Sequence, residues 1–501
     1  MKIRFTLLSV AAMLLLSAFV YRKSDKHTYY SSSFENVLGT SFDMHVKAEN
    51  ENAADRAEAA ALAEIDRLSA ILSSYDRNSE FSRWQRTQEK PVAVSQELLE
   101  VFTLFENWQS ATHGAIDPSV GTVIDVWKQA EKNQILPTAE KIETALNQMN
   151  RKHWQIDNAN GTITHYSDAP LLFNTFTKSY ILDKVASKVT ALQGISGVAV
   201  NIGGDITVKG DMEKSIRIAE PVLKSDNSFS SYSLQVSNKT IATSGNYKRG
   251  YAIAGKWYSH IIDARNGKPA DHVLSATVIA DKGTDAGALA TAFNILSPKE
   301  TALLAAEKQV AYQLILEDGT ELHNAAWTSL LKGDAVNQQH VDAQTALKGK
   351  EWDKSYEVNI SFELARFEGR FRRPFVAVWV EDSKKNTVKT LALWYNKPRW
   401  LPDLKEWYRK NDGKYTPETK DIATISSATR PPGSYVLKWD GKDEQGKYVA
   451  ADTYTIYIEA AREHGTYQLI KQEVVCKDKA QEWVLKGNEE VSAASVAYKK
   501  K

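Results

Sequence analysis

The sequence predicts an α+β domain followed by an all-β, Ig-like sandwich. Three observations carry this reading. Over about 30–333, helical spacings and short strand-like runs are mixed without the strict alternation of a doubly wound sheet. Over about 355–480, alternating strand-like runs such as YEVNISFEL, RPFVAVWVED and DTYTIYIEA follow one another, separated by turn signals such as Asp440-Gly441 and Gln445-Gly446. Between them, 334–354 is polar and reads as a linker, and 481–501 reads as a polar tail.

The elements follow in order. Lys2 and Arg4 precede an apolar run from Phe5 to Tyr21, and Arg22, Lys23 and Lys26 close it, which is the layout of an export signal over 1–24. The small-residue site near Leu16 and Ala18 is poor, so a cleaved signal and an uncleaved N-terminal anchor both remain open. Asn52 to Leu72, Gln96 to Ala111 and Thr138 to Met149 place apolar residues at three- and four-residue spacings and read as helices. Trp154 to Tyr166 alternates around Asn160-Gly161, the signature of a tight hairpin. Thr177 to Leu192 is helical again, and Gly197 to Ile202 is a short buried strand ending at Gly203-Gly204. Strands are expected at Ser215 to Ile218, Ser231 to Ala242, Trp257 to Ile262 and Ser275 to Ala280, helices at Asp285 to Leu296 and Pro298 to Lys308, and a last hairpin at Asp318-Gly319.

Composition narrows function. Lys plus Arg number 63 and Asp plus Glu 62, so the net charge of +1 gives no electrostatic reason to expect nucleic acid as a partner. The single cysteine, Cys476, excludes an internal disulfide framework and cysteine-cluster metal sites, leaving oxygen or imidazole as metal ligands. Three glycine-bearing loops, at 114–121, 201–205 and 243–247, suit close approach of backbone to a phosphate; singly each reads first as an ordinary turn, and together they point to a site. His260 ends a strand near Asp263 and is either a base or a solvent-facing polar residue; Lys178 opens a helix, a placement suited to an anion, with Asp183 either its partner or part of a solvated face. Asp285 and Thr291 flank the start of a later helix, where an oxygen-only divalent cation would be Mg²⁺ or Ca²⁺.

Read in order, LGT (38–40), SYDRNSE (74–80), GAIDPSVGTVIDVW (114–127), TKSYILD (177–183), VNIGGDI (200–206), ATSGNY (242–247), HIIDARNGKP (260–269) and DAGALATAFNIL (285–296) resemble the ApbE-type flavin transferases, the FAD:protein FMN transferases, over about 34–330. The resemblance implies an exported enzyme that uses FAD as substrate and Mg²⁺ as cofactor. It moves FMN onto a threonine hydroxyl of a redox protein in the periplasm or inner membrane and releases AMP. Hydrolysis of FAD to FMN and AMP, and FAD binding without turnover, are the alternatives. The implied flavin and adenine contacts are Leu38, Tyr75, Ala115, Ile116, Asp117, Lys178, His260 and Ile261, with Gly203, Gly204, Ser244 and Gly245 on the floor. His260 is the implied base, with Asp263 beside it in the same motif.

The implied metal ligands are the Thr175 carbonyl, Thr291 and an aspartate four residues before it. That position is Gly287 here, and the nearest carboxylate is Asp285, which lies on another side of an α-helix. Ser179 also departs from the family's glycine. If the ligand is simply missing, an aspartate introduced at 287 is expected to raise turnover. The second domain resembles a periplasmic domain of unknown function, and its WDGKDEQGKYV turn is similar to Ig-like modules of flagellar hook-assembly scaffolds. Its tryptophans 379, 394, 400, 407 and 439 read as core, and Asp440, Asp443 and Glu444 as a solvated turn or a calcium site.

Overall fold

The computed structural model describes residues 27–216, 218, 232–246, 249–333, 352–395, 398–411, 426–427, 430–477 and 479–501, so the expected export signal lies outside the described residues. Among the described residues no helix is long and apolar enough to cross a membrane.

The first domain is built on one antiparallel sheet. A hairpin opens it, β1 (Thr28–Val37) and β2 (Thr40–Ala48), followed by the long helix α1 (Glu51–Leu72). The side chain of Asn50 accepts the Ala53 N–H at 2.9 Å and starts that helix, as Ser95 does for α2 (Gln96–Ala111). Two further helices, α3 (Gly121–Asn133) and α4 (Ala139–Met149), precede α5 (Thr177–Thr190). Then come β3 (Ile195–Ile202), β4 (Asp205–Gly210), β5 (Lys239–Gly245) and β6 (Val273–Ala280), the buried helix α6 (Gly283–Ile295), and β7 (Ala311–Leu316) with β8 (Glu321–His323). The sheet runs β8-β7-β6-β5-β4-β3-β2-β1 and gains a ninth strand, β9 (Phe371–Arg372), from beyond the linker. Helices α1, α5 and α6 bury their apolar faces in the same core as the inner faces of β2, β3 and β6, with Ile65, Val185, Val200 and Phe293 fully covered.

One expected strand is two. Residues 232–236 form a small three-stranded sheet with 214–216 and 331–333, and the chain turns at Asn238 (φ 51°) before β5 enters the main sheet. The apolar phase shifts between the two, from Leu234 and Val236 to Ile241, and the break falls at Ser237-Asn238, a turn-type pair that the single expected strand runs through.

The second domain is a sandwich of a four-stranded and a five-stranded sheet. It begins earlier and ends later than the sequence suggests. Trp352, placed in the linker, is 2% exposed and packs 4.9 Å from Trp439 in the core. The supposed polar tail forms strands Gln481–Lys486 and Val491–Lys500, because Val491, Ala494, Val496 and Tyr498 turn inward while residues such as Glu482, Lys486, Ser492 and Lys499 face water. Trp379, Trp394, Trp407 and Trp439 are buried, as expected of a core. The acidic turn is committed within the domain: Asp443 accepts the Gln445 and Lys447 N–H groups of its own turn at 2.9 Å, Glu444 accepts the N–H of Thr390 in another strand at 2.7 Å, and Asp440 pairs with Lys442.

Candidate active site

A cavity of about 1280 Å³ opens at the ends of β3 to β5, walled by the β1–β2 hairpin tip, the loops 73–76 and 115–117, the start of α5, one face of α6 and the segment 260–262. Leu38, Tyr75, Ala115, Ile116, Asp117, Thr175, Lys178, Gly203, Gly204, Ser244, Gly245, His260, Ile261 and Thr291 all line it. Asp263 and Asp285 do not.

Each wall has a local cause. Gly203 and Gly204, with φ of 62° and 106°, make the two-residue turn between β3 and β4, and a Cβ at 203 would come within 2.9 Å of the Thr40 side chain. Asp117 caps the short helix that follows it, accepting the Ser119 N–H at 2.7 Å, and takes a further bond from Gln109. Tyr75 is 82% exposed at the mouth, its hydroxyl accepting from Asn174 at 3.0 Å, and presents a ring on which a flat heterocycle can stack.

The Arg249 carbonyl oxygen lies 3.0 Å from His260 Nδ1 and only accepts, so Nδ1 carries a proton and Nε2 is the nitrogen left to act as a base when the ring is neutral. Burial, helped by the Arg249 charge, lowers its pKa below the ordinary value. Asp263 takes no part in this arrangement. Its carboxylate is committed to Arg265 Nε and Nη2, both at 2.9 Å, and to the Arg265 N–H and Asn266, so it holds the 263–267 turn.

Lys178 stands in the first turn of α5, where burial lowers its pKa and the Asp205 charge opposes that shift. Arg249 also lines the cavity and is close enough to act electrostatically on Lys178 and His260. Two cations and a helix N-terminus together suit a diphosphate. Asp183 is neither a partner of Lys178 nor solvated: it accepts the Gly283 N–H at 2.5 Å and so caps α6 from α5.

The absence of a carboxylate at 287 has a packing cause. Helices α5 and α6 touch through their backbones, and a Cβ at Gly287 would lie 2.6 Å from Ser179 Oγ and 3.2 Å from Phe176 Cα and Cβ. Ser179 occupies the space that a side chain at 287 needs. Asp285, two residues earlier, sits away from the cavity beside Thr284 and within the field of Lys282 and Lys308, so it is not placed to join Thr175 and Thr291. The carboxylate that does face the floor is Asp205, which accepts from Ser179 Oγ at 2.7 Å. Burial pushes its pKa up to about 6, against the Ser179 bond, the Lys178 charge and the Thr243 N–H. Thr175, Thr291 and Asp205 all line the cavity, and the carbonyl, hydroxyl and carboxylate they could offer are oxygen donors of the kind a hard cation takes alongside waters and substrate phosphates; among the described residues no cluster of three or more His, Cys, Asp or Glu side chains could hold a metal.

Two charged cavity residues that matter to the chemistry carry no signal of their role in the sequence. Asp205 was visible only as the residue closing the Gly203-Gly204 turn, and Arg249, in a run of YKRGY, carries no local signal at all.

The comparisons agree with this geometry. Residues 38–315 match the ApbE family, and 357–493 match a predicted periplasmic protein family (DUF2271). The chain is 28% identical over 294 residues to a Klebsiella pneumoniae protein named FAD:protein FMN transferase, covering 56% of this chain and 83% of that one. A Vibrio cholerae protein of the same name is 30% identical over 267 residues, covering 51% and 78%. In fold it is similar to the ApbE protein of Thermotoga maritima, with a TM-score of 0.54 at 24% identity over 60% of this chain and 99% of that one. The flavin transferase ApbE of Vibrio cholerae gives 0.52 at 23% identity over 60% and 100%. With its first domain matched over its whole site and its cavity lined by the residues that carry the resemblance, this chain belongs to the ApbE family.

Proposed function

We propose that this chain transfers FMN from FAD to a threonine hydroxyl of an acceptor protein and releases AMP. The observation that carries the reading is His260, its Nδ1 committed to the Arg249 carbonyl and its Nε2 left over, in one cavity with Lys178 and Arg249. FAD is a flat heterocycle at each end of a diphosphate, and the cavity offers Tyr75 and Leu38 to a ring and the two cations to the charge.

In the reaction the acceptor oxygen forms a bond to the FMN-side phosphorus while the bond from that phosphorus to the AMP oxygen breaks. His260 Nε2 takes the hydroxyl proton, and AMP leaves with the electron pair. Lys178 and Arg249 hold the diphosphate and meet the charge that grows on its oxygens. Mg²⁺, when bound, spreads that charge further, and the residues that would hold it are Thr175 through its carbonyl, Thr291 and Asp205. The remaining work of the chain is alignment of the incoming oxygen with the bond that breaks.

The match of 357–493 to a predicted periplasmic family supports a periplasmic site of action; the acceptor we propose is a redox protein of the periplasm or inner membrane. Incubation of the chain with FAD and Mg²⁺, with and without a threonine-bearing acceptor domain, tests the reading. AMP release that depends on the acceptor and that His260→Ala lowers, with FAD binding retained, supports it; FAD retained through desalting with no AMP from the wild type makes the chain a binding protein.

A further inference from the structure

We propose that the C-terminal domain is a positioning element for the flavin cavity, holding the tip of the β1–β2 hairpin and through it setting the affinity for FAD. The proposal rests on FAD as the substrate.

The hairpin tip has an unfavourable backbone. Asn36, Leu38 and Gly39 have φ of 59°, 51° and 71°, and for a branched side chain such as Leu38 the left-handed conformation persists only where the surroundings impose it. Leu38 and Gly39 line the cavity. Behind them, the Gly203 N–H donates to the Ser41 carbonyl at 3.0 Å and Thr40 packs on the Gly203-Gly204 turn that leads into Asp205. The tip therefore bears on both the flavin wall and the cavity floor.

What holds the tip belongs to the other domain. Asn36 Nδ2 donates to the carbonyls of Phe367 at 3.2 Å and Gly369 at 2.6 Å. Phe34 and Glu35 pair with β9. Arg373, 4% exposed, gives Nε to Glu35 at 2.7 Å and Nη1 to Asp43 at 2.7 Å, and Glu35 accepts from Ser41 Oγ at 3.1 Å. Arg372 pairs with Glu58 and lies 4.5 Å over the Phe34 ring. Residues on both arms of the hairpin are thus bonded to 367–373, none of which lines the cavity. A buried guanidinium shared between two strands fixes their geometry more than it adds stability.

Binding and positioning are reciprocal: if the second domain sets the hairpin, FAD on the hairpin must order the second domain's contact segment. The test combines FAD affinity by flavin fluorescence with amide hydrogen exchange of the full chain, with and without FAD. Wild type, Asn36→Asp and Arg370→Ala are compared. Aspartate has the size of asparagine and tolerates a positive φ, but cannot donate to the two carbonyls. Arg370→Ala removes a contact of the same segment with Asp66 of α1, not with the hairpin, and so controls for loss of a contact between the domains away from the tip.

In the wild type, FAD is expected to slow exchange at 36–41 and also at 365–373. Asn36→Asp is expected to weaken FAD about five- to tenfold and to confine protection to the cavity walls; Arg370→Ala is expected to behave as wild type. FAD that binds with protection confined to the cavity, or Asn36→Asp that binds as tightly as wild type, overturns the proposal. Should Asn36→Asp fail to fold, the wild-type exchange pattern alone decides. A wild-type chain that binds no FAD overturns the functional reading itself, and is distinguished by its lack of any protection.

Discussion

Placing an aspartate at 287 is expected to damage this chain, although the sequence alone suggests that it would improve it. The first atom of the new side chain, Cβ, would already be 2.6 Å from Ser179 Oγ and 3.2 Å from Phe176 Cα and Cβ, so α5 and α6 must separate by several tenths of an ångström. Overpacking of that kind costs about 1–3 kcal/mol. A carboxylate then enters a site that already holds Asp205, adding desolvation and like-charge repulsion of about 1–3 kcal/mol. The sum, about 2–6 kcal/mol, is a large fraction of a typical domain's stability. Ser179→Gly removes the nearest clash but loses the bond to Asp205 and puts a glycine in a helix, a cost of about 1 kcal/mol. Urea unfolding of wild type, both single variants and the double variant is the assay. The double variant is expected to be more stable than the sum of the singles by about 1–2 kcal/mol. A Gly287→Asp variant as stable as wild type, or a strictly additive cycle, refutes the argument that Ser179 fills the space of a side chain at 287.

Other outcomes follow from the same geometry. Asp205→Asn is expected to weaken Mn²⁺ or Mg²⁺ binding in the presence of ADP at least tenfold by calorimetry, whereas Asp285→Ala is expected to leave it within twofold, since Asp285 lies outside the cavity. Because burial raises Asp205 to about 6, cation affinity is expected to fall about tenfold per pH unit below that value, as protons compete for the carboxylate. The sign for stability is opposite: with the folded pKa above the unfolded one, the cation-free chain is expected to lose stability as pH rises from about 4 through about 6, measured by urea midpoints. His260→Ala is expected to lower turnover roughly 10²- to 10⁴-fold with FAD affinity little changed, and a loss confined to KM would remove it as the base.

Most of the first domain is legible because its elements announce themselves. Asn50, Ser95 and Ser297 each stand just before a helix whose apolar spacing is regular, and the expected bounds of α2 and of the helix Pro298–Lys308 match the structure. The site is legible through its ordered motifs, since Leu38, Lys178, Gly203 and His260 are far apart in sequence and meet in one cavity. Asp263 and Asp285 are misread for a common reason: a carboxylate near a motif has a direction that sequence does not give. Asp263 points into its own Asx turn, and Asp285 stands on the far side of α6 from Gly287. Arg249 is invisible because only the fold brings its carbonyl to His260 Nδ1. The last strands are missed because their outward residues, such as Glu482, Lys486, Ser492, Ala493 and Lys499, are charged, polar or small, so each strand looks like a tail.

The central claim is that FMN is moved to a protein, and mass tests it most directly. The chain from residue 27 onward is incubated with FAD, Mg²⁺ and a small acceptor domain carrying a threonine in the family's motif, and AMP and acceptor mass are followed together. The account predicts equal amounts of AMP and of acceptor heavier by one FMN less water, with neither formed when the acceptor threonine is replaced by valine. AMP released at the same rate with an unmodified acceptor would contradict it and make the chain an FAD hydrolase.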